Sequence, residues 1–314
     1  HLIDTKKPAQ STFEGYLSAL GSVFNYCDRS HIVSSSEVKG LVKYLKRNSP
    51  RCSVQPPKWN VPFVLHRLSE APFEPLEKAD IKFLTWKTAF LLLWGAACRR
   101  SILHAIDVDT ITHSPNWSRV ELSTLPHFRA KNQHLDDPTL SRTYTLQELV
   151  PASSEDTLSC PVRALRIYLR RSKDVRDSRR RLFLPLIPQG KIRDITANTL
   201  SSWIKKTVHM AYSPSGRPTH DAYLRRLYSV GDDEVANLHR SAHEIRAQSA
   251  TYSFVSARHS LASIMKSCYW RSSTVFTNFY LRDITMEDTE HLLRLSTQVL
   301  QGGNDARVPH PPST

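Results

Sequence analysis

Three short stretches carry side chains suited to holding and attacking an anion. Arg99 and Arg100 directly follow the apolar run Ala89 to Cys98, an expensive place for charge unless an anion meets it there. His243 and Arg246 stand three residues apart in an expected helix, so an imidazole and a guanidinium share one face. Tyr280 closes an aromatic-rich segment that starts at Tyr269 and includes Trp270, Phe276 and Phe279. A guanidinium presents a planar fork of donors that matches phosphate oxygens better than an ammonium does. A tyrosine hydroxyl is a nucleophile once its proton has somewhere to go. Each stretch alone also has an ordinary use: the arginines as a charge pair at a helix C-terminus, the His–Arg pair as a solvated face, the aromatic residues as core.

Other chemistries lack their residues. There is no GxxxxGK[ST], GxGxxG, GxSxG or HExxH, and nine glycines in the whole chain leave little for a phosphate-cradling loop. His239 and His243 have metal-ligand spacing but no third ligand with sensible spacing, so no metal site is expected. Five scattered cysteines without a CxxC pair argue against a disulfide framework. No cofactor is expected.

The balance of charge names the class of partner. With 314 residues, 43 Lys or Arg and 29 Asp or Glu, the chain carries +14, a field that attracts phosphate at long range. Between Arg163 and Arg217, 14 Lys and Arg face only Asp174, Asp177 and Asp194, so +11 of the excess lies there. Its dense part, Arg170 to Arg181, reads as a phosphate-tracking surface, a nuclear localisation signal or a solvated helix end. Arg100, Arg170, Arg171, Lys173, Arg179, Arg180, Arg181, Lys205 and Lys206 are the candidate backbone contacts. The longest apolar run is about half of the roughly 18 to 20 residues a membrane span needs, and the N-terminus shows no signal-peptide pattern. An intracellular protein with no membrane partner is expected.

The elements that must position these residues are mostly helices. Residues 12–26 and Ser36 to Arg47 have apolar residues at three and four and are expected to pack as a small helical unit. Residues 49–60 hold three prolines and little periodicity, a linker. Helices are expected over Val61 to Ser69 and Glu77 to Cys98, the latter apolar nearly all round and therefore central. Further helices are expected from Pro161, then over Thr199 to Tyr212, Asp233 to Phe254, Ser260 to Tyr269, Ser273 to Tyr280 and Glu287 to Gln301. Arg119 to Leu125 and Arg142 to Leu146 alternate like two antiparallel strands, and Leu182 to Pro185 reads as a short extended piece. The expected fold is mainly α with a small antiparallel β-sheet. Its domains would be a partial helical unit over 1–48, the linker 49–60, a main domain over 61–301 and a disordered tail over 302–314.

Taken together and in this order, the boxes resemble the tyrosine recombinases of phage-integrase type, most closely those of DIRS-like and Ngaro-like retrotransposons. Arg99-Arg100-Ser101-Ile102-Leu103 matches the family's arginine box, with Arg99 as its first catalytic arginine. Phe128, Lys131 and Gln133 match the hairpin-lysine box, His243 and Arg246 the HxxR box, Trp270 the His/Trp position, and Tyr280 in Phe279-Tyr280-Leu281-Arg282-Asp283 the nucleophile. Cys160 to Leu165 is also similar to the retroelement group. The resemblance implies DNA cleavage and rejoining through a 3′-phosphotyrosine for integration of a mobile element. In that scheme Tyr280 attacks, Arg99 and Arg246 hold phosphate oxygens, Lys131 protonates the leaving oxygen, His243 assists the tyrosine, and Trp270 donates or packs. The implied fold is a catalytic domain behind a DNA-clamping helical domain. The implied partners are double-stranded DNA and further copies of the chain, as a dimer or tetramer. In a eukaryotic host the place would be the nucleus. Two positions depart from the pattern: Ile102 replaces the usual glutamate, and Trp270 to Tyr280 is ten residues where many integrases have nine. The rival readings are an inactive DNA-binding relic and a type IB topoisomerase.

Overall fold

A computed structural model describes residues 10–48, 59, 61–130, 143–149, 157–186, 194–212, 242–255, 260–270 and 272–281. The chain divides into two compact units, His1–Gln55 and Pro56–Thr314. In the first, helices α1 (Gln10–Tyr26) and α2 (Ser36–Asn48) meet. No described residue of this unit is buried, and Tyr16, Leu20, Val23, Tyr26, Leu41 and Tyr44 are exposed. Two short helices enclose no interior, so an amphipathic pattern alone does not make a core here.

The second unit is built around α4 (Ile81–Ala96). Asp80 caps its start by accepting from the Lys82 N–H at 2.7 Å, and every residue from Leu84 to Ala96 is buried, as expected of a helix without a polar face. It ends when Ala97 enters the left-handed region at φ 43°. Around α4 pack α6 (Pro161–Ser172), α7 (Ala197–Tyr212), α8 (Ala242–Val255) and the sheet. Gly95 permits the closest approach: a Cβ there would sit 3.3 Å from Pro161 and 3.5 Å from Leu146. Helix α3 (Val61–Leu68) packs on α7.

The sheet has three antiparallel strands in the order β1 (Thr112–His113), β2 (Arg119–Ser123), β3 (Thr143–Gln147). Pairing of Val120 with Leu146 and of Leu122 with Tyr144 sends one face into the core, since alternate side chains share a face. The mainly α fold with a small antiparallel sheet is thus as expected, with β1 added; two residues are too short to show an alternation. The expected helix over Glu287 to Gln301, the tail, Lys131 and most of the linker lie outside the described residues. Among the described residues no helix is long and apolar enough to cross a membrane.

Polar groups lock α4 to its neighbours. Lys87, fully buried in mid-helix, donates through Nζ to the Leu68 carbonyl at 2.7 Å and to Glu74. Arg163 of α6 meets the same carboxylate with two donors, at 2.8 and 3.2 Å. Burial pushes Lys87 down to about 8, with Glu74 working against that shift.

Candidate anion-binding site

The chain leaves α4 at Ala97, passes buried Cys98, and starts the short helix α5 (Arg100–His104). Arg99 is the N-cap of α5, with extended backbone at φ −78°, ψ 148°. The two arginines therefore begin a helix instead of closing one, and a C-terminal charge pair is not their arrangement. Ile102 and Leu103 are buried and seat α5 against the core. At its far end Arg181 donates to the His104 carbonyl at 3.1 Å, and the His104 ring is 2.6 Å from the Ile195 carbonyl. Burial lowers the His104 pKa, which favours a neutral ring.

Beside α5 lies a cavity of about 400 Å³ lined by Arg99, Arg100, Ser101, Ser201, Lys205, His243 and Arg246. Three distant stretches of chain meet there: the start of α5, one face of α7, and the first turns of α8. Ser201 and Lys205 are four residues apart and share a face of α7; His243 and Arg246, three apart, do so on α8. Among the described residues every charged group lining the cavity is a cation, and none is a carboxylate. Such a surface binds an anion.

Arg246 sets the floor of the site. It is fully buried; its Nη2 donates to the Cys268 carbonyl at 2.7 Å, while Nε and Nη1 are buried with no acceptor among the described residues. Its guanidinium lies over the rings of Trp270 (4.7 Å) and Tyr280 (5.6 Å), which offsets part of the cost of burial. Two unmatched donors on a buried cation are costly.

Tyr280 is the C-cap of α10 (Ser273–Phe279) and only 5% exposed. Its ring packs 4.5 Å from that of Trp270 and 4.8 Å from that of His243, centroid to centroid. Its carbonyl accepts from Thr251 Oγ1 at 2.9 Å. Helix α9 (Leu261–Ser267), capped by Ser260, leads through Cys268 and Tyr269 to Trp270. The structure thus brings Arg99, Arg246, His243, Trp270 and Tyr280 into one neighbourhood, with Trp270 packed beside the tyrosine. Neither Trp270 nor Tyr280 is part of the cavity lining. Lys131 lies outside the described residues.

The basic run has a different employment from the one its density implies. Arg171 of α6 donates to the Leu76 and Ala79 carbonyls. Arg180 pairs with Asp107, which is fully buried, and with Asp109 at 3.2 Å. Arg181 pairs with Asp194 at 3.1 Å and holds the end of α5, and Arg176 donates to the Arg181 and Leu182 carbonyls. Arg171, Arg180 and Arg181 are therefore structural ties first, because buried carbonyls and a buried carboxylate need donors. Each of the three is thus already engaged within the protein, Arg180 while half exposed. Arg170, Lys173 and Lys206 are exposed; Lys206 also lies 5.9 Å from the Trp86 ring centre. Arg179 donates to the Val175 carbonyl at 3.3 Å.

Lys205, expected among the backbone contacts, lines the cavity; Ser101, known from the sequence only as a member of the arginine box, and Ser201, which the sequence did not single out, line it too. A four-residue spacing on α7 was the available signal, but a Ser–Lys pair is too common to stand out. The thiols behind the site are inert: burial raises Cys98 to about 12 and Cys268 to about 11. Among the described residues no cluster could hold a metal ion.

No protein-family model matches the chain and no curated protein matches it. Among solved structures, the XerH site-specific recombinase bound to palindromic difH substrate, a post-cleavage complex, is similar with a TM-score of 0.45 and 13% identity, over 88% of this chain and 70% of that one. The pre-cleavage complex of XerH with difH substrate gives 0.45 and 12%, over 88% and 68%.

Proposed function

We propose that the chain cuts and rejoins DNA as a tyrosine recombinase, through a 3′-phosphotyrosine, in the integration of a mobile element of retrotransposon type. One observation carries this reading: a cavity whose charged lining among the described residues is all cationic and in which Arg99, His243 and Arg246 meet, with the Tyr280 ring against two of them. Breaking a phosphodiester needs a nucleophile, neutralisation of the non-bridging oxygens and a proton for the leaving oxygen. Arg99 and Arg246 take the non-bridging oxygens, Nε and Nη1 of Arg246 having no acceptor among the described residues. Tyr280 attacks phosphorus as His243 takes its proton. Because the ring lies outside the cavity lining, the end of α10 must shift toward the phosphate for attack. Exposed Arg170, Lys173 and Lys206 hold the DNA backbone. Copies of the chain assemble on DNA as a dimer or tetramer, in the nucleus where the host has one.

The test is covalent capture. Incubation with a randomised library of nicked duplexes should yield an adduct that survives detergent and that Tyr280→Phe abolishes. An adduct that persists in Tyr280→Phe removes the nucleophile; no adduct at all removes the cleavage reading. Two observations favour a second reading, DNA binding without cutting: Ile102 is fully buried where the family has glutamate, and Tyr280 is held inside the fold. Steeply salt-dependent DNA binding without any adduct, restored to cleavage by Ile102→Glu, would establish it.

A further inference from the structure

The far end of α5 is tied to the start of α7 through one imidazole. His104 Nε2 lies 2.6 Å from the Ile195 carbonyl. A carbonyl only accepts, so Nε2 carries the proton and Nδ1 keeps a lone pair. Arg181 Nη1 donates toward that Nδ1 at 3.3 Å and to the His104 carbonyl at 3.1 Å. Arg181 is itself fixed: Arg176 donates to its carbonyl at 2.7 Å, its Nε donates to Asp194 at 3.1 Å, and the next residue, Leu182, donates its N–H to the Ile106 carbonyl at 3.0 Å. On the other side Thr196 opens α7, its Oγ1 accepting from the Thr199 N–H and its carbonyl from the Leu200 N–H, each at 3.1 Å. The ring therefore joins three pieces of chain. At the opposite end of α5, about 6 Å away along the axis at about 1.5 Å per residue, Arg100 and its neighbour Arg99 line the cavity; one turn into α7 Ser201, and then Lys205, line it too.

We propose that His104 is a positioning residue of this site: by bridging Arg181 and the Ile195 carbonyl it sets α5 against α7, and with them the spacing between Arg99 and Arg100 on one side and Ser201 and Lys205 on the other. It acts through those cations and touches no reacting atom, and its effect on rate rests on the cleavage reading above. Only the neutral ring makes both contacts. A proton on Nδ1 removes the acceptor for Arg181 and sets two cations side by side, which repel. Burial, and after it Arg181, lower the pKa of the ring, against the Ile195 hydrogen bond and Asp194, and the net direction is down. The brace is therefore whole at neutral pH and opens as pH falls below the ordinary histidine value of about 6.5. Of the other charged groups on the two helices, Arg99, Arg100 and Lys205 lie at the cavity, Lys206 lies by the Trp86 ring, and His209 is on the exposed face of the last turn of α7. The site thereby gains a sensitivity to acid separate from that of His243.

The test compares the wild type with His104→Gln and His104→Leu on a duplex recovered by covalent capture. The glutamine amide donates to the Ile195 carbonyl through Nε2 and accepts from Arg181 through Oε1, so it copies the neutral ring without titrating. At about pH 8 His104→Gln should form adduct at close to the wild-type rate, and His104→Leu about 10- to 100-fold more slowly, the cost of cations displaced by about an ångström. Toward about pH 5 the ratio of wild-type to His104→Gln rates should fall about threefold or more, a comparison in which the titration of His243 cancels. His104→Asn, too short to span both partners, replaces His104→Leu if that variant does not fold. A Leu or Asn variant as fast as the wild type, a Gln variant as slow as either, or a rate ratio that stays flat with pH overturns the proposal while the wild-type adduct upholds the cleavage reading. Sulfate, whose charge is constant over this range, gives the same comparison without cleavage: by calorimetry its affinity should fall in His104→Leu, hold in His104→Gln at about pH 8, and fall in the wild type relative to His104→Gln toward about pH 5. A wild type that forms no adduct removes the cleavage reading, and the sulfate titration then decides the brace: equal affinities in wild type and His104→Leu overturn it.

Discussion

Glu74→Gln should destabilise the protein, and by an amount that depends on pH in a calculable way. The carboxylate accepts from Lys87 and twice from Arg163 and also from the Leu76 N–H at 2.9 Å; the Lys87 side chain is fully buried and that of Arg163 13% exposed. The two cations respond differently to its loss. Lys87, already pushed down to about 8, is protonated at pH 7 by about one unit, worth about 1.4 kcal/mol. It sheds its proton when Glu74 is gone, so its share of the cost is capped near about 1.4 kcal/mol at pH 7 and vanishes at pH 9. Arg163 has no such exit. It loses a bidentate charge-assisted pair, about 1.5 to 3 kcal/mol, with only Glu77, 3.6 Å away, as a fallback. The total is about 3 to 4 kcal/mol at pH 7 and about 2 to 3 kcal/mol at pH 9, in line with other broken buried pairs. Urea unfolding followed by tryptophan fluorescence at the two pH values measures it. A cost below about 1 kcal/mol at pH 7, or one that does not fall toward pH 9, would refute the network as described.

The remaining expectations concern the same framework and the site. In the unfolded chain Lys87 keeps its proton up to about pH 10.4, whereas the folded chain releases it near 8. Between those values the unfolded state binds more protons, so wild-type stability should gain a rising component with pH, and Lys87→Met should remove that slope at little or no loss of stability; a Lys87→Met protein with the same slope contradicts the assignment. Arg246→Lys should slow adduct formation about 100- to 1,000-fold, as loss of a positioned donor does elsewhere, while anisotropy still reports DNA binding. Arg170→Ala and Lys173→Ala should each flatten the salt dependence of DNA binding by about one ion; Arg180→Ala, which strips Asp107 of its partner, should instead lower the unfolding midpoint. A thiol reagent should modify Cys27, which is exposed, while Cys98, Cys160 and Cys268, all buried, react only on unfolding; mass spectrometry of the labelled peptides decides it.

What the sequence determined by itself was local. Apolar residues recurring at three and four placed α1, α2, α6 and α7 near their observed ranges and the end of α8 to within a residue, because a helical face is written in the spacing of its residues. Alternation did the same for β2 and β3. The His–Arg spacing on α8 put both side chains on one face before any packing was known. The tertiary structure decided the rest, and in each case for a reason that spacing does not carry. Ala97 takes a left-handed turn that ends α4 and hands Arg99 to α5, a choice set by how both helices pack. Density of charge between Arg163 and Arg217 says nothing of which arginines meet carbonyls from the turn before α4 or the buried Asp107; those partners come from distant chain, and they convert much of an apparent surface into internal ties. Arg246 reads as a surface residue of a polar helix until the fold buries it between Cys98, Cys268 and two aromatic rings, leaving two donors without an acceptor among the described residues. Lys205 joined that cavity for the same reason: α7 crosses beside α5, and contact between elements so far apart in the chain is a property of the packed protein alone.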